Sequence, residues 1–383
     1  MEFKINSKSF DKLLSKVIPA VPSRTPMAVL ENFLFEIKDG LLTVCATDLE
    51  ISLRSSQNVA ADSNARMVVP AKLLHDIIKA LPDLQLSVST DSNSRLKLTT
   101  DKGVYHISYF SPEDFPEIPT VSRDKEIVIA SDDLKRAFDK TSFAMSKEDM
   151  RPAMTGTLLE FAKDGLRFVA TDGHRLVKYV NKAILTDYTE QYIIPERAIS
   201  VLSKLLGDGD VKVYLSKTHA SFISGDIEFI TRLIGEKYPA YNSVIPLENE
   251  NLLTVDRSEL LSTIKRMLIF SSGTSKQVKF SITENNLEVS SENIDTGSNA
   301  VETIQCDYNG EAMDIGFNTA YVNDILSHLD SSKVLFKLHS PTKACIIEPV
   351  YSAGKPEYSS ESSDKAPENE EVMMLLMPVR LNN

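Results

Sequence analysis

Cysteine, glycine and the short motifs of common enzymes are scarce in this chain of 383 residues. The three cysteines, Cys45, Cys306 and Cys345, lie far apart and form no CxxC pair, which argues against a disulfide framework or a structural zinc site. The six histidines form no HExxH, and P-loop, GxGxxG and GxSxG motifs are missing. The sequence therefore predicts no metal ion and no cofactor.

Long apolar runs are also missing. The first residues, MEFKINSKSF, lack the apolar core of a signal peptide, and no run approaches the roughly 20 residues of a membrane span. We therefore expect a soluble, cytoplasmic protein without membrane contact. The net charge of −12 excludes a generally basic nucleic-acid binder, so any contact with DNA requires a local basic face on an acidic body.

The chain contains one pattern three times. The segments VVPAKLLHDIIKALPD, IIPERAISVLSKLLGD and GFNTAYVNDILSHLD share one apolar helix face when they are aligned at Pro70, Pro195 and Asn318. A second helix recurs at nearly the same spacing in SKSFDKLLSKVI, SDDLKRAFDKTS and DRSELLSTIKRML. Because two independent markers share one period, the chain is predicted to consist of three repeats.

Alternating, β-branched segments lie between these helices and predict strands. The first, LLTVCATDLEISLRSS, is matched by LRFVATDGHRLVKYV and LEVSSENIDTGSNAVETI. The Pro-rich phrases EDFPEIP and EKYPAYNSVIP close two repeats and mark domain boundaries. The sequence therefore predicts an α+β fold of three domains, 1–123, 124–249 and 250–383, each with two helices packed on antiparallel sheets. Segment 353–371, rich in Ser, Pro and Glu, is predicted to be a long acidic loop.

The phrase VATDGHRLVKYV raises the question of catalysis, because Asp172 and His174 place a carboxylate near an imidazole. The alternative is a turn between two strands with Asp172 and Gly173 at its corner. Only the acidic corner recurs in the other repeats, which favours the turn, whereas His174 is particular to the second copy. A hydrolase that uses Asp172 and His174 stays open as an alternative function.

Lysine and arginine are enriched on the repeated helices, while the rest of the chain carries the excess of acids. A solvated helix face would explain each helix taken singly. A bias across six helices instead favours a common surface that faces DNA phosphates.

Three α+β repeats, ATDGHRL in the second, GFN before the last helix and a terminal LLMPVRL together resemble the bacterial sliding clamps, the beta subunits of DNA polymerase III. The resemblance runs from Met1 to Leu381. It implies a head-to-tail homodimer that closes into a ring around double-stranded DNA, with the helices inside and the sheets outside. Such a clamp is not an enzyme.

The resemblance also implies the partners of the clamp. It tethers the alpha subunit of the replicative polymerase, which makes synthesis processive, and a clamp loader places it on DNA. Other polymerases, ligase and mismatch-repair proteins bind through short linear motifs. A ring scaffold that serves non-replicative partners is a further alternative.

In this family the ATDGHRL phrase helps to form a shallow apolar groove for partner peptides. By position, the resemblance implies a groove lined by Met154, Thr171, Gly173, His174, Arg175, Leu176, Pro239, Val244, Asn318, Tyr321, Val322, Thr342, Met377, Pro378, Val379, Arg380 and Leu381. The sequence departs from many relatives at Ser243, where arginine is common, and at Met154, where leucine is common. Asn382 and Asn383 extend past the usual final leucine.

Position-by-position matching implies that Arg24 and Arg151 contact DNA, followed by Lys147 and Arg197. Such cations attract phosphates without reading bases, so a ring can slide along the duplex.

The contact between the two copies is expected to join the first domain of one to the third domain of the other. Tyr105 and Ile107 would there meet Ile269 and Phe270 in an aromatic and aliphatic cluster. The alternative for any one of these residues is a place in an ordinary domain core.

Overall fold

The computed structural model describes residues 1–271, 276–351 and 367–381. Backbone packing divides the chain into two units. Unit 1 comprises Met1–Leu134 and Arg197–Leu233, and unit 2 comprises Lys135–Glu196 and Ile234–Asn383. The first repeat lies in unit 1, the third lies in unit 2, and the second contributes to both.

Each repeat contributes two of the six α-helices found in the described part of the chain. The helices are α1 (Ser7–Val17), α2 (Ala71–Ala80), α3 (Ser131–Ser142), α4 (Glu196–Leu205), α5 (Arg257–Phe270) and α6 (Thr319–Ser327). Asn318 caps α6 by accepting the N–H groups of Ala320 and Tyr321, and Asp256 caps α5, which confirms both predicted helix starts. None of these described helices has the length and apolar character needed to cross a membrane.

The strands follow the same order in every repeat: one strand, a helix, four strands, a helix and three strands. The first repeat adds one short strand, β5. Its strands are β1 (Glu2–Asn6), β2 (Asn32–Lys38), β3 (Leu41–Thr47), β4 (Ile51–Asn58), β5 (Ala60–Ala61), β6 (Ala65–Pro70), β7 (Gln85–Thr90), β8 (Arg95–Thr99) and β9 (Val104–Ser108). The second repeat contains β10 (Ile127–Ala130), β11 (Gly156–Ala162), β12 (Gly165–Thr171), β13 (Arg175–Asn181), β14 (Glu190–Pro195), β15 (Asp210–Leu215), β16 (His219–Ser224) and β17 (Ile227–Arg232). The third contains β18 (Asn251–Asp256), β19 (Gln277–Thr283), β20 (Asn286–Asn293), β21 (Ser298–Tyr308), β22 (Met313–Asn318), β23 (Lys333–Leu338), β24 (Cys345–Val350) and β25 (Glu370–Leu376).

Antiparallel pairing assembles these strands into three sheets. Unit 1 holds a five-stranded sheet, β5-β1-β7-β8-β9, and an eight-stranded sheet, β10-β15-β16-β17-β4-β3-β2-β6. Unit 2 holds a twelve-stranded sheet, β14-β11-β12-β13-β25-β24-β23-β18-β21-β20-β19-β22. Strand β8 alternates buried and half-buried residues, as expected where one face meets the core, whereas every residue of β11 is buried. The predicted α+β fold with helices on antiparallel sheets is confirmed.

One pairing rule joins consecutive repeats. The last strand of the second repeat, β17, pairs with β4 of the first, from Ile227 opposite Ser55 to Thr231 opposite Ile51. The last strand of the third repeat, β25, pairs in the same way with β13 of the second. In each case the last strand of one repeat is added to the fourth strand of the repeat before it.

Charged side chains reinforce the contact between the second and third repeats inside unit 2. Arg136 of α3 donates to Asp330 at 2.7 Å and to Glu370 at 2.5 Å. Lys140 is buried and lies 2.8 Å from Asp330. Burial would lower the pKa of Arg136, but the two carboxylates outweigh it and raise that pKa. These two helix cations therefore hold the fold together, although the charge pattern of the sequence grouped them with the DNA-facing cations.

The acidic loop predicted for residues 353–371 ends earlier than expected. Glu370 and Glu371 already belong to β25, where they pair with Asn181 and Val180 of β13. Pairing with β13, a strand that is distant in the sequence, thus overrides a composition that is typical of loops. Residues 353–366 of the predicted loop lie outside the described residues.

Candidate functional site

A tight turn between β12 and β13 presents the residues of the ATDGHRL phrase. Thr171 Oγ1 donates to the Arg175 carbonyl at 2.6 Å and accepts the Gly173 N–H at 3.1 Å. Asp172 Oδ1 accepts the N–H groups of His174 and Arg175 at 2.9 and 3.0 Å. Gly173 has a φ of +89°, which favours glycine. Asp172 therefore closes a turn, as the structural alternative predicts.

The first repeat contains the same turn. Thr47 Oγ1 donates to the Ile51 carbonyl at 2.9 Å, and Asp48 Oδ1 accepts the N–H groups of Glu50 and Ile51. Leu49 stands at the corner with a φ of +77°. Since the Thr-Asp pair serves both repeats alike, this pair belongs to the architecture of the repeat and needs no catalytic role.

Arg175 is buried and engaged inside unit 2. Its guanidinium donates to Asp172 Oδ2 at 3.1 Å, to Asp324 Oδ2 at 2.7 Å and to the Phe143 carbonyl at 2.6 Å. The same group lies over the ring of Tyr321, 4.4 Å from its centroid. Arg175 thus supports the structure around the turn from within, and its place in the groove stays a prediction.

Buried apolar residues form a floor beneath this turn. The floor cluster consists of Leu158, Val169, Leu176, Ile193, Tyr238, Tyr241, Ile346, Met373 and Leu375. Ala153, Ile245 and Ala344 pack against it from the half-buried rim. A floor of this kind accepts apolar side chains of a ligand.

Two tyrosines give the floor its polar anchors. The Tyr238 hydroxyl donates to the Val169 carbonyl at 3.3 Å, and the Tyr241 hydroxyl donates to Glu160 Oε2 at 2.6 Å. Burial raises the pKa of both phenols. Burial also opposes ionisation of Glu160, but hydrogen bonds from Tyr241, Gln191 and Arg167 outweigh it and lower the pKa of that carboxyl. Both tyrosines are thus held as neutral donors.

The C-terminal tail, Met377–Leu381, continues from β25 along one side of the site. Met377 N–H donates to the His174 carbonyl at 2.8 Å, which fixes the tail to the turn. Val379 N–H donates to the Gly316 carbonyl at 2.8 Å and forms an isolated antiparallel bridge with β22.

Several residues of the predicted groove lie at or near this turn and floor. His174 is exposed, and its ring stacks on Tyr321 with centroids 6.2 Å apart. Pro239, Val244 and Thr342 are exposed and lie within two residues of side chains that pack into or against the floor. Met154 is buried beside Gly173.

Two further residues of the predicted groove lie at α6 and its N-cap. Val322 of the helix is fully buried, as is Val169 of the floor cluster. The Asn318 side-chain oxygen is engaged in capping the helix. Ser243 occupies the place of the common arginine and donates to the Ala240 carbonyl at 2.7 Å within its own turn. Asn382 and Asn383 lie outside the described residues.

The four predicted DNA contacts have different surroundings. Arg24 is exposed on the segment after α1. Lys147 forms an ion pair with Glu196, and Arg197 lies 2.5 Å from Asp48 Oδ2. The guanidinium of Arg151 lies close to Gly173. A Cβ atom added to Gly173 would be 3.0 Å from Arg151 Nη1.

The four residues predicted for the contact between copies differ in their exposure within the chain. The Ile107 side chain is 1% exposed within the chain itself, whereas Tyr105, two residues earlier on the same face of β9, is 38% exposed. Ile269 is 76% exposed at the end of α5, and Phe270 is half-buried.

Three family profiles match consecutive parts of the chain. They are the N-terminal domain of the DNA polymerase III beta subunit over residues 1–119, the central domain over 128–240 and the C-terminal domain over 242–356. The chain belongs to the DNA polymerase III beta subunit family. Its function is that of a DNA sliding clamp, and a hydrolase reaction at Asp172 and His174 is not favoured.

Relatives and solved structures agree with this family. The beta sliding clamp of Pseudomonas aeruginosa is 31% identical over 352 residues, covering 91% of this chain and 95% of the relative. The beta sliding clamp of Chlamydia muridarum is 29% identical and covers 86% and 90%. A crystal structure of the Pseudomonas aeruginosa DNA polymerase III subunit beta covers both chains completely, with a TM-score of 0.91 and 28% identity.

Some residues of the site in this beta subunit were not predicted from its sequence. Tyr238 and Tyr241 anchor the floor, yet their phrase EKYPAYNSVIP indicated only a domain boundary. Arg151 lies beside Gly173 of the turn, although the resemblance assigned it to DNA. The signal for this place in the sequence was that Arg151 lies three residues before Met154, a predicted groove residue. Among the described residues, no cluster of three His, Cys, Asp or Glu side chains could hold a metal ion.

We predict that Arg175→Ala destabilises this beta subunit by about 3 kcal/mol, because it leaves Asp172 and Asp324 without their buried cationic partner. Equilibrium urea unfolding measures the change. The matched control is Arg232→Ala, which removes an exposed ion pair with Glu50 and should cost less than about 1 kcal/mol. Equal destabilisation of the two variants would contradict the supporting role of Arg175.

Proposed function

We propose that the chain works as a ring-shaped homodimer around duplex DNA and docks partner peptides in the unit 2 groove. The observation that carries the ring is the repeated pairing rule, in which the last strand of one repeat joins the fourth strand of the preceding one. The first repeat has such a last strand in β9, at the end of its sheet. The third repeat has such a fourth strand in β21, in which Cys306–Tyr308 pair with β18 and Ser298–Gln305 pair only with β20.

The burial of equivalent residues supports this pairing. Ser291 pairs with Ala300 as Thr171 pairs with Leu176, so Val301 and Val177 are equivalent. Val177 is fully buried next to β25, whereas Val301 is 57% exposed. An apolar residue that is covered in one repeat and exposed in another is expected where a second copy completes the sheet.

A helix contact supports the same arrangement. Inside unit 2, Phe143 follows α3 and stacks on His328 at the end of α6, with centroids 4.0 Å apart. Ile269 is the counterpart of Phe143 in the third repeat and is exposed. We infer that Ile269 packs against the end of α2 in the second copy, with Tyr105 of β9 nearby.

We predict that Ile269→Asp weakens the dimer by about 2 kcal/mol, a roughly 30-fold rise in its dissociation constant, because it places a charge in an apolar contact. Sedimentation equilibrium gives that constant. Leu185→Asp is the control, since Leu185 is 64% exposed on a turn that has no place in the proposed contact. A dimer that tolerates Ile269→Asp as well as Leu185→Asp would refute this contact.

The DNA contact is proposed to run through cations on and beside the helices. Arg24 is exposed and is the foremost candidate, whereas Lys147 and Arg197 have the carboxylate partners Glu196 and Asp48. The Lys147–Glu196 pair is exposed and contributes about 0–1 kcal/mol, so a phosphate can displace Glu196, whereas the Asp48 side chain is buried in its turn. Contacts of this kind carry no base sequence and permit sliding.

We predict that Arg24→Ala lowers sequence-independent affinity for linear duplex DNA and reduces the slope of log K against log salt by about 0.9, the value for one phosphate contact. Binding titrations at several salt concentrations measure both quantities. Lys163→Ala, on the exposed turn between β11 and β12, should leave the slope unchanged. An unchanged slope for Arg24→Ala would exclude this phosphate contact.

The groove is proposed to accept a short segment with a leucine and an aromatic side chain. The floor cluster supplies the apolar surface, while His174 and Tyr321 supply a flat wall. The proposed partners are the replicative polymerase alpha subunit, the clamp loader, other polymerases, ligase and mismatch-repair proteins. A groove of this kind binds partners without catalysing a reaction, so we propose a non-catalytic role. We also propose that the protein acts in the cytoplasm.

We predict that Val244→Asp lowers the affinity for a peptide with leucine and aromatic residues by about tenfold or more, because it adds a charge beside the apolar floor. Fluorescence polarisation of a labelled peptide measures the affinity. Leu185→Asp serves again as the control with an unchanged value. Equal affinity for both variants would remove Val244 from the groove.

The domain boundaries after residues 123 and 249 remain part of this proposal. The first lies between β9 and β10, and the second lies just before β18, so neither interrupts a strand or helix. Each proposed domain then contains one complete order of strands and helices.

A further inference from the structure

The three repeats differ at one position in front of their second helix. Two residues before each alignment anchor stand Val68, Ile193 and Gly316. Val68 and Ile193 are buried members of apolar clusters in their own repeats. Gly316 lies within β22 and its φ is not in the left-handed region. Backbone conformation therefore does not explain why the third repeat carries glycine here.

The C-terminal tail occupies the space beside Gly316. A Cβ atom added to Gly316 would lie 2.9 Å from Leu381 Cδ2, 2.9 Å from the Val379 oxygen and 2.9 Å from Gln277 Nε2. All three atoms belong to the tail or to a side chain that holds it. The Leu381 side chain thus lies close to the space that a side chain at Gly316 would occupy.

Few other contacts fix this part of the tail. Val379 N–H donates to the Gly316 carbonyl at 2.8 Å, and Gln277 Nε2 donates to the Arg380 carbonyl at 3.3 Å. Leu381 also borders a small cavity of about 170 Å³ next to Lys279 and Ile294. The ladder of β25 ends at Leu376, so these contacts set the path of the tail beyond it.

We propose that Gly316 and Gln277 are positioning residues of the peptide groove. Gly316 leaves the space that receives Leu381, and Gln277 donates to the carbonyl of Arg380. Together they fix the tail as one wall of the groove. This inference rests on the proposed docking of peptides. It adds that the wall depends on a glycine that contacts no peptide itself.

The test compares Gly316→Ala and Leu381→Ala, singly and combined, by peptide affinity and by hydrogen exchange of the tail amides without peptide. Gly316→Ala should lower affinity by about tenfold and speed exchange at Val379, because the added methyl displaces Leu381. The double variant should recover part of the loss, because a smaller residue 381 accommodates the methyl group. Gln277→Ala should shift both readouts in the same direction.

Gly207→Ala is the control, because a Cβ atom there meets nothing within 4 Å. Gly316→Ala with wild-type affinity and wild-type exchange would overturn the proposal, as would strictly additive losses in the double variant. Unfolding of Gly316→Ala is checked by melting temperature, and Leu381→Ala then tests the same contact from the tail. If the wild-type chain binds no peptide, the proposed docking fails, whereas the exchange measurement still reports whether Gly316 positions the tail.

Discussion

The antiparallel pairing between the last strand of one repeat and the fourth strand of the preceding repeat is the interaction on which this structure depends. Unpaired strand edges expose backbone donors and acceptors that another strand can satisfy. The junctions β17–β4 and β25–β13 use this pairing inside the chain. The same rule points to the free edge of β9 and to the part of β21 that pairs only with β20 as the two halves of the proposed dimer contact.

The proposed groove lies at one such junction. Because β25 pairs with β13, the tail leaves the sheet beside the turn that carries His174, and Met377 bonds to the carbonyl of that residue. The turn itself is common to two repeats, but glycine replaces leucine at its corner in the second, where Arg151 lies close. Small local changes on a repeated frame thus distinguish the junction at which we propose that peptides bind.

The repeats, the helix starts and the Thr-Asp turn could be predicted from the sequence, because each depends on neighbouring residues. Asn318 and Asp256, for example, cap the helices that follow them directly. Residues whose role depends on distant partners could not be predicted. Arg175 is tied to Asp324, 149 positions away, and only the packed structure shows that Ile107 is buried.

Retention on circular DNA would show whether the chain forms a closed ring. The chain would be loaded onto nicked circular duplex with a clamp loader and ATP, washed in high salt, and the DNA then linearised. We predict that the protein stays on the circle in high salt and leaves the linear form through its ends, because a closed ring holds DNA by topology. Loss from both forms at the same rate would mean ordinary surface binding and would contradict the ring.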